Sequence, residues 1–349
     1  MDITQKTIWQ QAAGDTDRNY SNICRGWDVI LNGPGSGGPW PGVSNGLSSR
    51  KITDLRRFAV DMKDGDLVVL RLGTANVIGV GQIAGDYEWH DEFGDIDGWE
   101  LQHVRRVRWL WMNLSNPKIF DTYALKQGDT TQKLSEGSVT DWLKTLPVSN
   151  SDLSRHLVEL PVQKRNDITV TEISEFLFDH GVASVAITNL LSEIGELTRI
   201  AKWYQRSSSR PSEHETVAYL IVPLLRALGW TPQRMAVEWN YVDVALFEQL
   251  PRSNETLRIV VEAKKMDNSC LTAISQAESY ADGKASCHRL IVTDGLRYGI
   301  YTRSKMTERF KLYAYLNLTR LRSDYPIYEC KGAEEALLAM TPEWKPNGI

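Results

Sequence analysis

Cysteine is scarce and scattered. The four residues, Cys24, Cys270, Cys287 and Cys330, form no C-x-x-C pair, which argues against a zinc site or a disulfide framework and for a reducing cytoplasm. Long apolar runs are missing as well, since no stretch approaches the ~18 residues of a membrane span. Met1 to Gln10 shows no basic stretch followed by an apolar one, so neither insertion nor export is expected. Charge of one sign is not in excess either: 40 bases against 44 acids leave a formal −4, and the overall balance does not advertise a polyanionic partner. The glycine-rich stretch Gly33-Pro34-Gly35-Ser36-Gly37-Gly38 lacks the lysine and following helix of a phosphate-binding loop, which argues against nucleotide hydrolysis.

What is present is globular. Hydrophobic residues at 42% and charged residues at 24% are the proportions of a chain that can bury a core. A length of 349 residues exceeds one ordinary domain. The expected division is a domain over 1–150, a helical connector over 151–210 and a second domain over 211–349, an α/β and β protein without internal repeats. In the first part, Leu67-Val68-Val69-Leu70, Val77 to Ile83 and His103 to Trp111 read as strands of a small, strongly bent β-barrel. Val139 to Leu146 reads as a short helix. Residues 169 to 206 read as helical, and Ser207-Ser208-Ser209-Arg210-Pro211 as the break.

The last part opens with a helix, Glu213 to Leu228, whose apolar stripe ends at Gly229. Strands are expected over Tyr241 to Phe247 and Leu257 to Ala263, a helix over Leu271 to Tyr280, and strands over His288 to Thr293 and Tyr298 to Thr302. Asp243 falls in the first of these strands. Glu262 and Lys264 fall at alternate positions at the end of the second, so they project from one face. Two carboxylates with a backbone carbonyl, here that of Ala263, form an oxygen donor set suited to Mg²⁺, and a lysine beside them can orient a nucleophile or offset charge developing on a phosphate. Charges emerging from the apolar run Ile259-Val260-Val261 need such a reason. The plain alternative is a solvated strand end.

Further residues fall into order around these three. Ser212-Glu213-His214-Glu215-Thr216, Pro223 to Trp230, Asp243, Glu262-Ala263-Lys264, Gln276 with Tyr280, and Val292-Thr293-Asp294-Gly295 followed by Tyr298-Gly299-Ile300-Tyr301 together resemble the nuclease domain of type I restriction-enzyme restriction subunits, a branch of the PD-(D/E)xK superfamily. The resemblance covers about residues 211 to 303. It implies a restriction-endonuclease-like α/β core with Asp243, Glu262 and Lys264 as the metal and catalytic centre, Glu213 as the helix acid that joins it, and Gln276 and Tyr280 as a downstream Q-x-x-x-Y element near the cut. The proline that often precedes the family's aspartate is replaced by Val242. Read without the resemblance, Glu213 is an acid at a helix N-terminus and Glu215 competes for its place.

Seven tryptophans, Trp9, Trp27, Trp40, Trp89, Trp99, Trp109 and Trp111, crowd the first 111 residues. Several sit in loops, where flat rings can wall a pocket for a flipped or single-stranded base. Others serve as core, Trp109 and Trp111 first among them. Trp9, Met62-Lys63-Asp64-Gly65-Asp66-Leu67-Val68, Ile78 to Ile83 and Tyr87-Glu88-Trp89 resemble the EVE and PUA-like group of base-recognition domains over about residues 5 to 112. That resemblance implies a reader of modified bases, its walls drawn from Trp27, Trp40, Tyr87 and Trp89, with Asp28, Asn32 or Asp86 on the base edge. Arg18, Arg25, Arg50, Lys51, Arg56, Arg57, Arg105, Arg106 and Arg108 are candidates for tracking phosphates.

Joined, these readings give the expectation of a cytoplasmic, modification-dependent DNA endonuclease of bacterial or phage defence. It would read a modified cytosine in double-stranded DNA, use Mg²⁺ with Mn²⁺ as a substitute, need no nucleotide cofactor, and act as a homodimer because cutting two strands needs two active sites. The alternatives are an RNA-directed nuclease and a non-catalytic reader with a vestigial nuclease fold.

Overall fold

The computed structural model describes residues 1–349 apart from 2, 16–17, 44–45, 148–153, 163–165, 208–209, 306 and 347–349. Its contacts divide the chain into two units, Met1–Gln163 and Lys164–Ile349. Among the described residues no helix is long and apolar enough to cross a membrane.

The first unit is built on a single seven-stranded sheet. Its strands are β1 (Ile8–Ala12), β2 (Val29–Asn32), β3 (Leu67–Leu72), β4 (Asn76–Trp89), β5 (His103–Met112), β6 (Lys118–Ile119) and β7 (Thr131–Lys133), in the order β2-β5-β4-β3-β1-β7, with β6 beside β4. Only β1 and β3 run parallel. Among the described residues, the helices of this unit are α1 (Ser21–Gly26), α2 (Ser49–Arg56) and α3 (Ser138–Thr145). β4 bends at irregularities between Val80 and Gly81 and between Ile83 and Tyr87. Bends of this kind curl a sheet, here into a half-barrel.

Polar side chains tie the open seam. Gln11 donates to the Leu31 carbonyl at 2.7 Å, Thr131 Oγ1 donates to Gln11 Oε1 at 2.7 Å, and Asn32 Nδ2 donates to Thr131 Oγ1 at 3.1 Å. Each of these groups is buried, so each needs its partner. Arg105, one of the candidate phosphate contacts, is a correction: it is 2% exposed and donates to the carbonyls of Phe58, Ala59, Met62 and Gly85. It closes the wide turn Arg57–Asp61 that continues α2.

The second unit opens with α4 (Val170–Asp179) and α5 (Ser184–Arg206). Their buried residues, Ile173, Leu177, Leu190, Ile194 and Leu197 among them, share a core cluster with the sheet residues Val244, Ile259 and Val261. The helices expected as a connector are therefore part of this unit. α6 (213–227) follows as Glu213–Thr216, a wider turn Val217–Ile221 and Val222–Ala227. Pro223 inside this helix lacks an N–H and crowds the carbonyl four residues back, and the widened turn that precedes it relieves both problems.

The eight-stranded sheet comprises β8 (Met235–Trp239), β9 (Val242–Phe247), β10 (Leu257–Ala263), β11 (Arg289–Thr293), β12 (Arg297–Thr302), β13 (Lys311–Asn317), β14 (Asp324–Tyr325) and β15 (Cys330–Lys331), in the order β14-β15-β13-β12-β11-β10-β9-β8. α7 (Ile274–Ala281) joins β10 to its parallel neighbour β11, and α8 (Ala333–Ala339) lies near the C-terminus. From α6 to β11 the order is thus helix, three antiparallel strands, helix, parallel strand. β8 escaped the sequence reading. The turn after β11 explains one motif: Gly295 sits at φ +85°, and a Cβ there would come within 2.8 Å of Leu220 on α6. Only glycine combines that backbone conformation with so close an approach.

Candidate functional site

Three charged side chains meet where β9 begins and its antiparallel neighbour β10 ends. Val244 pairs with Val261 and Ala245 with Val260, and Ala245 and Val260 belong to the same core cluster under α7. Two residues before Ala245 and two after Val260, Asp243 and Glu262 therefore share that face. Lys264, two beyond Glu262, completes the group. Its Nζ donates to Glu262 Oε1 at 2.9 Å and to Gln276 Oε1 at 3.1 Å, and Gln276 Nε2 donates to the Tyr280 hydroxyl at 3.2 Å. Glu262, Lys264, Gln276 and Tyr280 form one hydrogen-bonded chain from strand end to helix face. Asp243 is held separately: its Oδ2 accepts the Ala263 N–H at 2.7 Å. The interaction seen for Ala263 is thus an amide donating to the aspartate.

Glu262 is 1% exposed. Its Oε1 has Lys264, but its Oε2 is buried without a hydrogen-bond partner among the described residues. Burial pushes its carboxyl up to about 7, against the pull of the Lys264 hydrogen bond and with further help from the negative charges of Asp243 and Glu213. Glu213, the first residue of α6 and half-buried, is therefore close enough to shape the site's field. Glu215 is engaged elsewhere, since its carboxylate accepts from the Ser212 N–H at 2.7 Å in a capping box. That division answers the competition between the two acids. The motif Thr293-Asp294-Gly295 is structural: Asp294 is fully buried and accepts from the amides of Leu296 and Arg297 and from the Arg297 guanidinium.

A divalent cation suits this donor set. An unpartnered buried carboxylate oxygen is costly, and hard cations take carboxylate oxygens. Among the described residues, however, no three His, Cys, Asp or Glu side chains are already gathered as ligands. Asp243 and Glu262 are the two carboxylates that could serve as donors, and Glu213 adds negative charge nearby.

In the first unit, three of the expected pocket aromatics do cluster, around a histidine the sequence reading left out. The Trp40 amide donates to the Tyr87 hydroxyl at 3.1 Å, that hydroxyl lies 3.0 Å from His103 Nδ1, and Trp89 meets the His103 ring edge to face at 5.1 Å. Burial, then the charge of Lys51, pushes His103 down to about 4 against the opposing pull of the Pro34 carbonyl and Asp54. The imidazole is neutral at physiological pH. Trp27 ends α1 and is half-buried, Asp86 is exposed, and Asp28 is buried beneath Arg155 at 2.5 Å and the Val158 amide at 3.1 Å. Asp28 therefore holds the chain in place, and the role of base-edge reader does not fit it.

The cavity lies elsewhere. About 470 Å³ of space is lined by Tyr20, Asn32, Pro34, Lys51, Trp99 and Leu101 among others. Of the seven expected pocket residues only Asn32 lines it. Tyr20 and Trp99 pack edge to face at 4.9 Å, and the Arg18 guanidinium stacks on Trp99 at 4.3 Å. Asn32 Oδ1 accepts from Lys51 Nζ at 2.8 Å, and Lys51 pairs with Asp54 at 2.6 Å. The volume is that of a small-molecule site. The glycine-rich segment beneath it is anchored, since the Gly35 N–H donates to the Glu100 carbonyl at 3.0 Å and Ser36 N–H to the Glu100 carboxylate at 2.9 Å. Trp99, in its loop beside Gly98, and Lys51, among the candidate phosphate contacts, carried a signal; Tyr20 carried none.

Residues 40–133 match the family described as a domain of unknown function, DUF8426. No curated protein and no solved structure matches the chain.

Proposed function

We propose that the second unit is a divalent-cation-dependent nuclease centred on Asp243, Glu262 and Lys264, and that the first unit is a reader of a modified base. The whole chain would then be a modification-dependent DNA endonuclease of a defence system. One observation carries the nuclease half: Asp243, Glu262 and Lys264 end neighbouring strands on one face, with a buried Glu262 oxygen that lacks a partner. The order of helix, three antiparallel strands, helix and parallel strand supports a restriction-endonuclease-like core.

Asp243 and Glu262 would hold the cation, which when bound supplies charge to a phosphodiester and lowers the pKa of water. The chain's own residues do the remaining work. Ala263 fixes the Asp243 carboxylate, and Gln276 holds the Lys264 ammonium where it can offset charge on a phosphate oxygen. Tyr280 in turn steadies Gln276.

The reader half rests on the cavity at Tyr20 and Trp99, whose size suits one nucleobase. Its aromatic rings supply stacking surfaces, and Asn32 and Lys51 supply polar groups. An RNA-directed nuclease remains the second reading, because single-stranded bases suit the same walls. A panel of phage DNAs differing only in cytosine modification, with an RNA of matched sequence, tests the proposal. Mg²⁺-dependent cutting confined to modified DNA is the expected result. Cutting of RNA alone favours the second reading, and no cutting of any substrate by the intact protein removes the nuclease.

A further inference from the structure

The hairpin that joins β8 to β9 leads into the charged site, and its tip departs from the residues such a turn favours. Trp239 pairs with Val242, which leaves Asn240 and Tyr241 as a two-residue turn with φ of +50° and +69°. A turn with two positive φ values favours asparagine followed by glycine, because glycine takes the second place without steric cost. Asparagine fits here and tyrosine does not: a bulky side chain at positive φ is strained. Packing within the fold does not offset that strain, since Tyr241 is 89% exposed. The chain thus keeps a large ring in solvent at a turn position that glycine would fill better.

The tip is also held beside the site. Glu238 has φ +54° as well, and its Oε1 lies 3.0 Å from His214 Nδ1. His214 follows Glu213, so this contact ties the hairpin to the start of α6, where the acid that bears on Glu262 sits. On the other strand, Tyr241 lies two residues before Asp243, about 7 Å of chain. Strained residues that the surrounding structure holds in place cluster where a ligand is gripped. We propose that Tyr241 is a substrate contact of the charged site, its ring stacking on an unpaired or splayed base of the strand whose phosphate lies at Asp243, Glu262 and Lys264. The proposal rests on the nuclease reading and adds the state of the substrate: the nucleotide beside the cut is unstacked from its neighbour when bound. Every base offers a flat face, so the ring contributes affinity without sequence preference.

Cleavage kinetics and urea denaturation of the full chain test it together, with the nucleic acid that the wild type cuts best as substrate. Tyr241→Gly should raise KM by about tenfold or more, the scale of one lost base stack, with little change in kcat. The same variant should be no less stable than the wild type, because glycine relieves the turn. Tyr241→Phe, which keeps the ring, should return KM towards the wild-type value. A glycine variant with the KM of the wild type would overturn the ring contact and leave the nuclease standing, whereas a wild type that cuts neither DNA nor RNA would remove both. A glycine variant markedly less stable than the wild type would also overturn the proposal, since the ring would then serve the fold. So would a phenylalanine variant as impaired as the glycine one, because stacking needs only the ring.

Discussion

The two candidate sites are built in opposite ways. The charged site of the second unit draws on two adjacent strand ends, one following helix and the start of one preceding helix, so its members recur at the spacings those elements impose. The cavity around Trp99 in the first unit draws Tyr20 from the residue that precedes α1, Asn32 from the end of β2 and Pro34 from the turn after it, Lys51 from α2, and Trp99 and Leu101 from a loop. Periodicity reports neighbours along one element. It says nothing about which loops converge, and so the first kind of site is readable from a sequence while the second is assembled only by the fold.

The strongest way to break this comparison is to remove the charged site and watch the reader. Lys264→Ala or Asp243→Ala should lower the cutting rate by about 10² to 10³-fold, the scale for losing a group that stabilises developing charge. Binding of modified DNA should be unchanged in an electrophoretic shift assay. Loss of binding in step with cutting would mean the two sites are not separable.

Trp99→Ala should do the reverse. Removing one stacking ring should weaken binding of the modified base by about 10 to 100-fold, measured by fluorescence anisotropy, and leave the Mg²⁺-dependent chemistry of bound DNA intact. If Trp89→Ala has the larger effect, the ring cluster around His103 is the pocket and the cavity at Trp99 is not.

A pH series sharpens the account of the charged site. Glu262 ionises near 7 in the folded chain against an ordinary value of 4.5, so between these pH values the folded state keeps a proton that the unfolded chain releases. Stability from this group is complete below about 4.5 and is lost as pH rises through about 7. Urea denaturation should show that decline in the wild type, flattened in Glu262→Gln. Mg²⁺, which favours the carboxylate, should flatten it as well. Identical slopes in both proteins would place the ionisation elsewhere. The smallest effect belongs to Trp27→Ala: Trp27 lies at the end of α1 outside the lining of the cavity, so affinity should change by less than about twofold, as at a surface position.

Much of the second unit was legible because its strands are short apolar runs with clear ends. The readings of 241–247, 257–263 and 271–280 fall within a residue or two of β9, β10 and the helical stretch ending in α7. β8 was missed because Met235-Ala236-Val237-Glu238-Trp239 is an edge strand with Val237 half exposed, a pattern without strict alternation. The helices over 169–206 were legible as helices, but their role was not, since an amphipathic stripe does not name the surface it will cover. In the first unit β3, β4, β5 and α3 follow the expected segments. The closing of the half-barrel by Gln11, Asn32 and Thr131 leaves no local trace, because the partners are about a hundred residues apart.

Mn²⁺ titration followed by electron paramagnetic resonance tests the central claim most directly. The wild type should bind Mn²⁺ at neutral to mildly alkaline pH, Asp243→Asn and Glu262→Gln should lose that binding, and Trp99→Ala should keep it. Equal binding in all four proteins, or none in the wild type, would contradict a cation site between Asp243 and Glu262.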